Sequence, residues 1–331
     1  MSNYSLISVI VATYNQEKTI ARTLDSILCQ KCHIPFEIVI GEDCSTDGTR
    51  SICEDYAARN PQIRLISNPH NKGLVDNYFD CLLACKGQLI ADCAGDDFWV
   101  DELKLEKELQ VMESDDNISL VHTAWQSYNE QTKMAVPSNT QPFAAPITDG
   151  KYMLEAILTQ TRMPVIQLCT SLYRADVILK EYYAHTSLFR DKDNVCEDLQ
   201  IAFFEALNGK IAYLPDVTLS YSLGSDTISA PKDIRKLFDF YKKATTQSYT
   251  IADAFGIKTA GTKDFFAKRT FALLMHAFRS HNTQMRREAI ECQELWQTNN
   301  NLAIILIKCI TSSNPIWICA LKLRKLLLRF K

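Results

Sequence analysis

Four short apolar runs, each followed by a segment with helical periodicity, constrain this chain more than any other feature of its first hundred residues. Leu6–Ala12 (LISVIVA) is continuous, apolar and β-branched, as a strand buried on both faces must be, and Thr13-Tyr14-Asn15 ends it. Ile20, Leu24, Ile27 and Leu28 then recur at i, i+4, i+7 and i+8, the spacing of one helix face. Phe36–Ile40 predicts a second strand, Ile63–Ser67 a third and Gln88–Cys93 a fourth, with helical stretches ending before Pro61 and spanning Leu74–Cys85. Such alternation demands crossover connections, hence an α/β fold with a mainly parallel sheet flanked by helices. Ligands of these sheets bind beyond the carboxyl ends of the strands. The chemistry is therefore expected in Thr13–Asn15, Glu42–Gly48, Asn68–Gly73 and Gly95–Trp99.

Composition narrows the classes. A chain of 331 residues, 47% hydrophobic, can bury a sizeable core, and a net charge of -3 removes any whole-chain case for a nucleic-acid partner. No run of 18 apolar residues occurs. The opening MSNYSLISVIVATYN has no basic flank or cleavage site, so its apolar run reads as a strand rather than a signal peptide. With no export signal, the twelve cysteines are expected in a reducing cytoplasm, mostly as buried thiols. Cys29-Gln-Lys-Cys32 has CxxC spacing, but no second pair stands at zinc-finger distance, so spacing alone gives little reason for a metal or redox role.

Asp96-Asp97, after the fourth strand and beside Trp99, is the sharpest local feature. Two ionised carboxylates cannot both face an apolar core without partners. A hard divalent cation, Mn2+ or Mg2+, takes oxygen ligands and commonly sits on one or two carboxylates plus substrate phosphates; a helix N-cap with a solvated neighbour fits the same residues. After the second strand, Glu42-Asp43 precedes Ser45-Thr46-Asp47-Gly48, where Asp43 is placed to accept from the N–H of a uracil ring and Asp47 to cap a helix. Thr13 and Asn15 suit ring and ribose contacts or an ordinary cap. Lys72 suits a phosphate contact or a solvated loop position. Glu197-Asp198 opens a helix over Leu199–Leu207, where acids favour the helix dipole and a carboxylate base is equally well placed.

SVIVATYNQEKTIARTLDSILCQ, FEIVIGEDCSTDGT, NKG with CKGQLIADCAGDDFW, and EDLQIAFFEALNGKIAYLPDVTLSY follow one another in that order. Over roughly residues 5–230 the chain resembles the family 2 glycosyltransferases of GT-A fold, especially the bacterial members that build surface polysaccharides. The resemblance implies a GT-A (Rossmann-like) mixed, mainly parallel sheet. It implies inverting transfer from a nucleotide-diphosphate sugar, most often UDP-linked, with Mn2+ or Mg2+, to a glycan or lipid-linked acceptor. Asp43 matches the base-reading carboxylate, and Thr13 and Asn15, with Tyr14 between them, match the first-strand donor contacts. Asp96 matches the metal-binding aspartate of the DxD motif, with Asp97 beside it at the donor. Asp198 matches the general base, with Glu197 adjacent. Ala94 stands where many members carry an acid, and Tyr221-Ser222-Leu223-Gly224 replaces a frequent Tyr-Arg-x-His pattern, so a late His ligand and an Arg phosphate contact are missing. A non-catalytic nucleotide-sugar-binding module is the rival reading. A nucleotidyltransferase would carry a Gly-rich phosphate loop where Thr13–Lys18 (TYNQEK) stands.

Further on, a helix with Leu103, Leu105, Leu109 and Met112, a strand over Ile118–His122, a flexible active-site loop over 126–150, and strands over Leu168–Tyr173 and Ile211–Leu214 are expected. Residues 1–231 are assigned to the glycosyltransferase domain and 232–331 to a helical C-terminal region. The tail 302–331 holds six Lys or Arg and no acid. Ile316, Cys319, Leu323, Leu326, Leu327 and Phe330 form one stripe flanked by basic residues, the pattern of an interfacial helix on an anionic membrane. Docking on the protein's own core fits the stripe as well. A cytoplasmic protein, peripheral on the inner face of the cell membrane, is the expected setting.

Overall fold

The computed structural model describes residues 4–138, 145–160, 166–223, 233–298 and 302–327. The chain opens with β1 (Ile7–Thr13), α1 (Ile20–Leu28), β2 (Phe36–Glu42), α2 (Thr49–Arg59), β3 (Ile63–Ser67), α3 (Leu74–Ala84) and β4 (Leu89–Asp92). Ile7, Val9, Ile10 and Val11 are all buried, and a strand with no polar face needs a layer on each side. One such layer contains α1, whose Ile20, Leu24 and Ile27 are fully buried in the main apolar cluster. Each of these side chains contributes about 1.5–3 kcal/mol by leaving water.

The second half of the sheet comprises β5 (Phe98–Trp99), α4 (Lys104–Ser114), β6 (Ile118–Asn129), β7 (Ala135–Pro137), β8 (Ile147–Asp149), α5 (Leu154–Thr159), β9 (Ser171–Arg174), α6 (Ala175–Ala184), α7 (Thr186–Phe189), α8 (Asp198–Asn208) and β10 (Lys210–Leu223). The strand order is β3-β2-β1-β4-β9-β6-β10-β5, with β7 on β6 and β8 on β10. β1 is parallel to both β2 and β4, and β3 to β2. β9 is antiparallel to β4 and β6, which makes the sheet mixed.

Several expectations are corrected. The 126–150 loop is in part strand: β6 runs on to Asn129 and pairs with both β10 and β7, while 139–144 lie outside the described residues. Its polar residues sit half-buried on an extended strand, where a polar sequence passes for a loop. The strand ending at Leu214 continues to Leu223, with a register shift between Leu214 and Val217 where Pro215 cannot donate to the ladder. Leu168–Thr170 is a 3-10 turn preceding β9, and Leu103 is exposed at the start of α4.

The chain divides into two compact units, Met1–Gly224 and Ser225–Lys331. The expected boundary at 231/232 lies outside the described residues. The second unit contains α9 (Ile234–Ala254), α10 (Ala260–Ser280), α11 (Thr283–Leu295), α12 (Leu302–Ser312) and α13 (Asn314–Leu327). Asp233, Thr259 and Asn282 each cap a helix by accepting from the N–H three residues on. Instead of one tail helix, α12 and α13 meet at 112°. Pro315, in the first turn of α13, is the reason: it has no N–H and its ring clashes with the carbonyl four residues back, so α12 cannot run on through it. Trp317 is buried, its Nε1–H donating to Phe278 O at 3.0 Å, whereas Ile316, Cys319 and Leu323 of the expected stripe are exposed. Phe330 lies outside the described residues. No single described helix is long and apolar enough to cross a membrane.

Candidate active site

The strand order reverses direction at β1, so the segments after β2 and β4 flank the end of β1. Asp43 N–H donates to Thr13 O at 3.0 Å, and Gly95 N–H to Ala12 O at 3.2 Å. Asn15 is in the left-handed region (φ 53), which Asn tolerates, and from there its Oδ1 accepts from Thr46 N–H at 2.8 Å and its N–H donates to Ser45 Oγ at 3.0 Å. Thr13 is buried and donates to Gln16 Oε1 at 2.7 Å; Tyr14 is exposed. A Cβ on Gly95 would lie 2.7 Å from Thr13 Oγ1, so only glycine lets the Asp96 loop approach this closely.

Asp43 is 3% exposed, and both its oxygens are engaged by the loop after β3. Oδ1 accepts from Asn68 Nδ2 (2.9 Å) and Lys72 N–H (2.8 Å), and Oδ2 from Gly73 N–H (2.8 Å). A carboxylate has about four lone-pair sites, so Oδ2 keeps room for one further donor. The Lys72 ammonium, expected at a phosphate, is paired with Asp80 at 2.7 Å, and Arg190 takes the other Asp80 oxygen at 2.8 Å. Glu42 is fully buried and structural, accepting from Ser45 N–H and Arg50.

Thr19, the residue before α1, and two α1 side chains hold successive carbonyls of the acidic loop. Thr19 donates to Gly95 O (2.9 Å), Arg22 to Asp96 O (3.0 Å) and Thr23 to Asp97 O (2.6 Å). Their i, i+3, i+4 spacing places them on one face of α1. Asp97 is 1% exposed and its Oδ1 accepts from Ser222 N–H. Asp96 is half-buried, and its O also accepts from Ser222 Oγ at 2.6 Å. Burial raises the Asp96 carboxyl, opposed by Arg22. Burial, then the charge of Asp96, raises Asp97 well above the carboxylate range. Arg22 is shared with Glu130 at 2.6 Å and stacks over Phe98, 4.1 Å from the ring centre. Two adjacent carboxylates with so little positive charge of their own are a hard-oxygen donor set that fits Mg2+ or Mn2+ with phosphate oxygens completing the shell. Asp96 is the ligand this arrangement leaves available, since Asp97 is tied to β10.

Glu197 precedes α8 and Asp198 is its first residue. Burial pushes Asp198 up to about 6; burial, then Asp198, raises Glu197 well above its usual range. Asp97, Asp96 and Asp198 all act on the Tyr221 hydroxyl, which burial and then these charges push up to about 12. The Tyr221 hydroxyl thus feels charge both from the acids after β4 and from Asp198. The Asp43 carboxylate takes its partners, among the described residues, from the 68–73 loop. Asp92 is buried and pushed up to about 7 by burial, against hydrogen bonds from Tyr78 (2.8 Å) and Tyr173, with the Asp198 charge adding to the rise. Sequence reasoning missed Arg22 and Asp92, and noted Tyr221 and Ser222 only as a departure from the family pattern. The acid within the apolar strand LIAD was a legible signal for Asp92.

The model of the family described as Glycosyl transferase family 2 matches residues 8–180. The chain belongs to that family. The Escherichia coli relative named UDP-Glc:alpha-D-GlcNAc-diphosphoundecaprenol beta-1,3-glucosyltransferase WfgD is 30% identical to this family 2 member over 132 residues, 40% of this chain and 50% of WfgD. Mycobacterial relatives 41% identical over 107 residues are covered over 31% of their length, so the chain spans about a third to a half of these curated relatives. S. aureus TarS 1-349, solved in complex with UDP-GlcNAc, superposes with a TM-score of 0.51 at 19% identity, over 89% of this chain and 92% of that one. Mannosyltransferase PcManGT from Pyrobaculum calidifontis, solved with GDP-Man and Mn2+, gives 0.51 at 16% identity over 97% of this chain and 84% of that one. At these identities the two structures establish the GT-A fold alone.

Proposed function

We propose that this chain is an inverting, metal-dependent glycosyltransferase. It moves a sugar from a nucleotide-diphosphate donor, UDP-linked, to a hydroxyl of a glycan or lipid-linked acceptor in surface-polysaccharide synthesis. The observation that supports this reading is the acidic loop Gly95–Asp97, held just past β4 by Thr19, Arg22, Thr23 and Ser222, in a family 2 chain whose Asp198 opens α8. Asp198, with a pKa of about 6, is ionised at neutral pH yet basic enough to take the acceptor proton. As the acceptor oxygen bonds to the anomeric carbon from one face, the bond to the diphosphate breaks on the other, which inverts configuration. Asp96 would hold Mn2+ or Mg2+, which when bound neutralises the charge developing on the diphosphate. Thr13, Tyr14, Asn15 and Asp43 would line the nucleotide, with Oδ2 of Asp43 taking the base N–H, and Glu197 would position Asp198. Lys72 would reach a phosphate only by leaving Asp80. The UDP-GlcNAc of TarS, the Mn2+ of PcManGT and the diphosphoundecaprenol acceptor in WfgD's name support donor, cation and acceptor class. The exposed apolar tail supports work at the inner face of the cell membrane.

The test is transfer and donor hydrolysis with purified protein, UDP-sugars and Mn2+. Asp198→Asn and Asp96→Ala are each expected to lose transfer while keeping the native circular dichroism spectrum. Substantial transfer by Asp198→Asn removes the base assignment. Donor binding with neither transfer nor hydrolysis in the unaltered chain points to the non-catalytic nucleotide-sugar-binding module, which the use of Asp97 by Ser222 and the presence of Ala94 favour.

A further inference from the structure

A second group of metal-ligating side chains stands at the opposite end of the sheet. Cys32 and His33 lie in the loop between α1 and β2, before the first residue of β2, whereas the candidate active site is beyond the last residues of the strands. Glu106 reaches them from the first turn of α4. One ligand atom from each of the three lies within 4.8 Å of the others. His33 Nδ1 is 2.8 Å from Glu106 Oε2, and the His33 backbone N–H donates to the same oxygen at 3.0 Å. On the other side of the ring, His33 Nε2 is 3.5 Å from Glu113 Oε1, one α4 surface serving both nitrogens. Lys31 N–H donates to Glu102 O at 2.8 Å and Gln30 Nε2 to Asp101 O at 2.7 Å, so the loop is already fixed against the start of α4.

We propose that Cys32, His33 and Glu106 form a zinc site that clasps the loop before β2 to α4. A thiolate, an imidazole and a carboxylate are the ligands of a borderline ion, and three protein ligands leave a fourth position for water. Around a tetrahedral zinc with bond lengths of about 2.0–2.3 Å, ligand atoms lie roughly 3.3–3.6 Å apart. The present separations require movements of an ångström or so in side chains that are half-exposed and therefore open to an entering ion. Binding at Nδ1 leaves the Nε2–H to donate to Glu113, the carboxylate–histidine–zinc arrangement that fixes ring and tautomer. The protons balance: Cys32 gives up its thiol proton to solvent, and His33 releases its Nδ1 proton if doubly protonated or moves its single proton to Nε2 if neutral. In the metal-free protein the Glu106 carboxyl is drawn down to about 2 by the His33 donors and Gln110 against the upward push of burial. CxxC spacing missed the site because the partners of Cys32 are its neighbour and a helix far along the chain, not Cys29.

The experiment is cobalt titration of the full, chelator-treated chain, followed by displacement with Zn2+. A thiolate-to-cobalt charge-transfer band is expected at one ion per chain and is expected to vanish in Cys32→Ser. Cys29→Ser and Asp96→Ala should leave it unchanged. His33→Asn and Glu106→Gln, half-exposed positions that keep the test open if Cys32→Ser does not fold, should weaken cobalt binding at least tenfold. Glu113→Gln, which touches only the ring, should weaken it by roughly 10–100-fold. Absence of a one-to-one band, or its persistence in folded Cys32→Ser or in both His33→Asn and Glu106→Gln, overturns the proposal.

Discussion

The backbone N–H of Ser222 donates to Asp97 Oδ1 at 2.8 Å, joining residues 125 positions apart. The Ser222 hydroxyl donates to Asp96 O at 2.6 Å, and Arg22 donates to that hydroxyl at 3.1 Å. One residue of β10 therefore fixes both members of the acidic pair, one through backbone and one through side chain.

Ser222→Ala keeps the backbone bond and removes the hydroxyl. It should cost about 0.5–1.5 kcal/mol of stability, read by urea denaturation. The larger effect should be on Mn2+-dependent donor binding, because Asp96 loses the contact that fixes its backbone. Unchanged Mn2+ dependence in calorimetric titration of donor would show that Ser222 does not position the acid.

The shifted Asp198 carboxyl sets a pH profile. Burial raises it to about 6, so it is protonated below that pH and ionised above. A base must be ionised to accept a proton, so kcat/KM should rise with pH through about 6 and fall about tenfold per pH unit below it. A limb at the ordinary carboxylate range would mean that Asp198 is not the group titrating.

The paired strands and helices of the first hundred residues were legible because an apolar β-branched run can be accommodated only inside a sheet. Asp96, Asp97 and Asp198 stood out in the sequence because acids at strand and helix ends need a reason, and the family resemblance gave them roles. The Thr19–Arg22–Thr23 face was not, since those residue types suit any exposed helix and only the carbonyls opposite give them a role. The extension of β6 and β10 was hidden for a related reason: Gln126–Asn129 and Ser220–Ser222 are polar, and their partners lie on distant strands. The bend at Pro315 was readable and overlooked, because a stripe on a projection ignores where a helix must break.

Lys104 and Glu108 are a fully buried pair, 2.7 Å apart, with the Lys104 ammonium 4.5 Å from the centre of the Trp99 ring. Burial pushes Glu108 up to about 7, opposed by Lys104. The folded state therefore holds the Glu108 proton more tightly than the unfolded chain, and this group's contribution to stability falls as pH rises through about 7. Lys104→Met leaves a buried acid alone and should cost about 3–5 kcal/mol at pH 8 and less at pH 6, where the acid is protonated. Lys104→Met with Glu108→Leu should recover most of that loss, since an apolar pair needs no desolvation of charge. A double variant as unstable as the single one would mean that packing at Trp99, not charge, sets the cost.

The tail makes the remaining prediction. Leu302 is 80% exposed, Leu306 60% and Leu323 58%, and Lys308 and Lys322 lie on the same two helices. Apolar side chains left in water beside basic ones match an interface with anionic headgroups, where each Lys or Arg adds about 1 kcal/mol. The full chain should sediment with vesicles containing anionic lipid and not with neutral ones, and raised salt should weaken the association. Leu306→Glu with Leu323→Glu should release it at least tenfold while leaving donor hydrolysis intact, because neither residue belongs to the first unit. Binding that survives both substitutions and high salt would place the contact elsewhere on the protein, and a chain that ignores anionic vesicles altogether would take the membrane out of the proposed setting without touching the chemistry of Asp96 and Asp198.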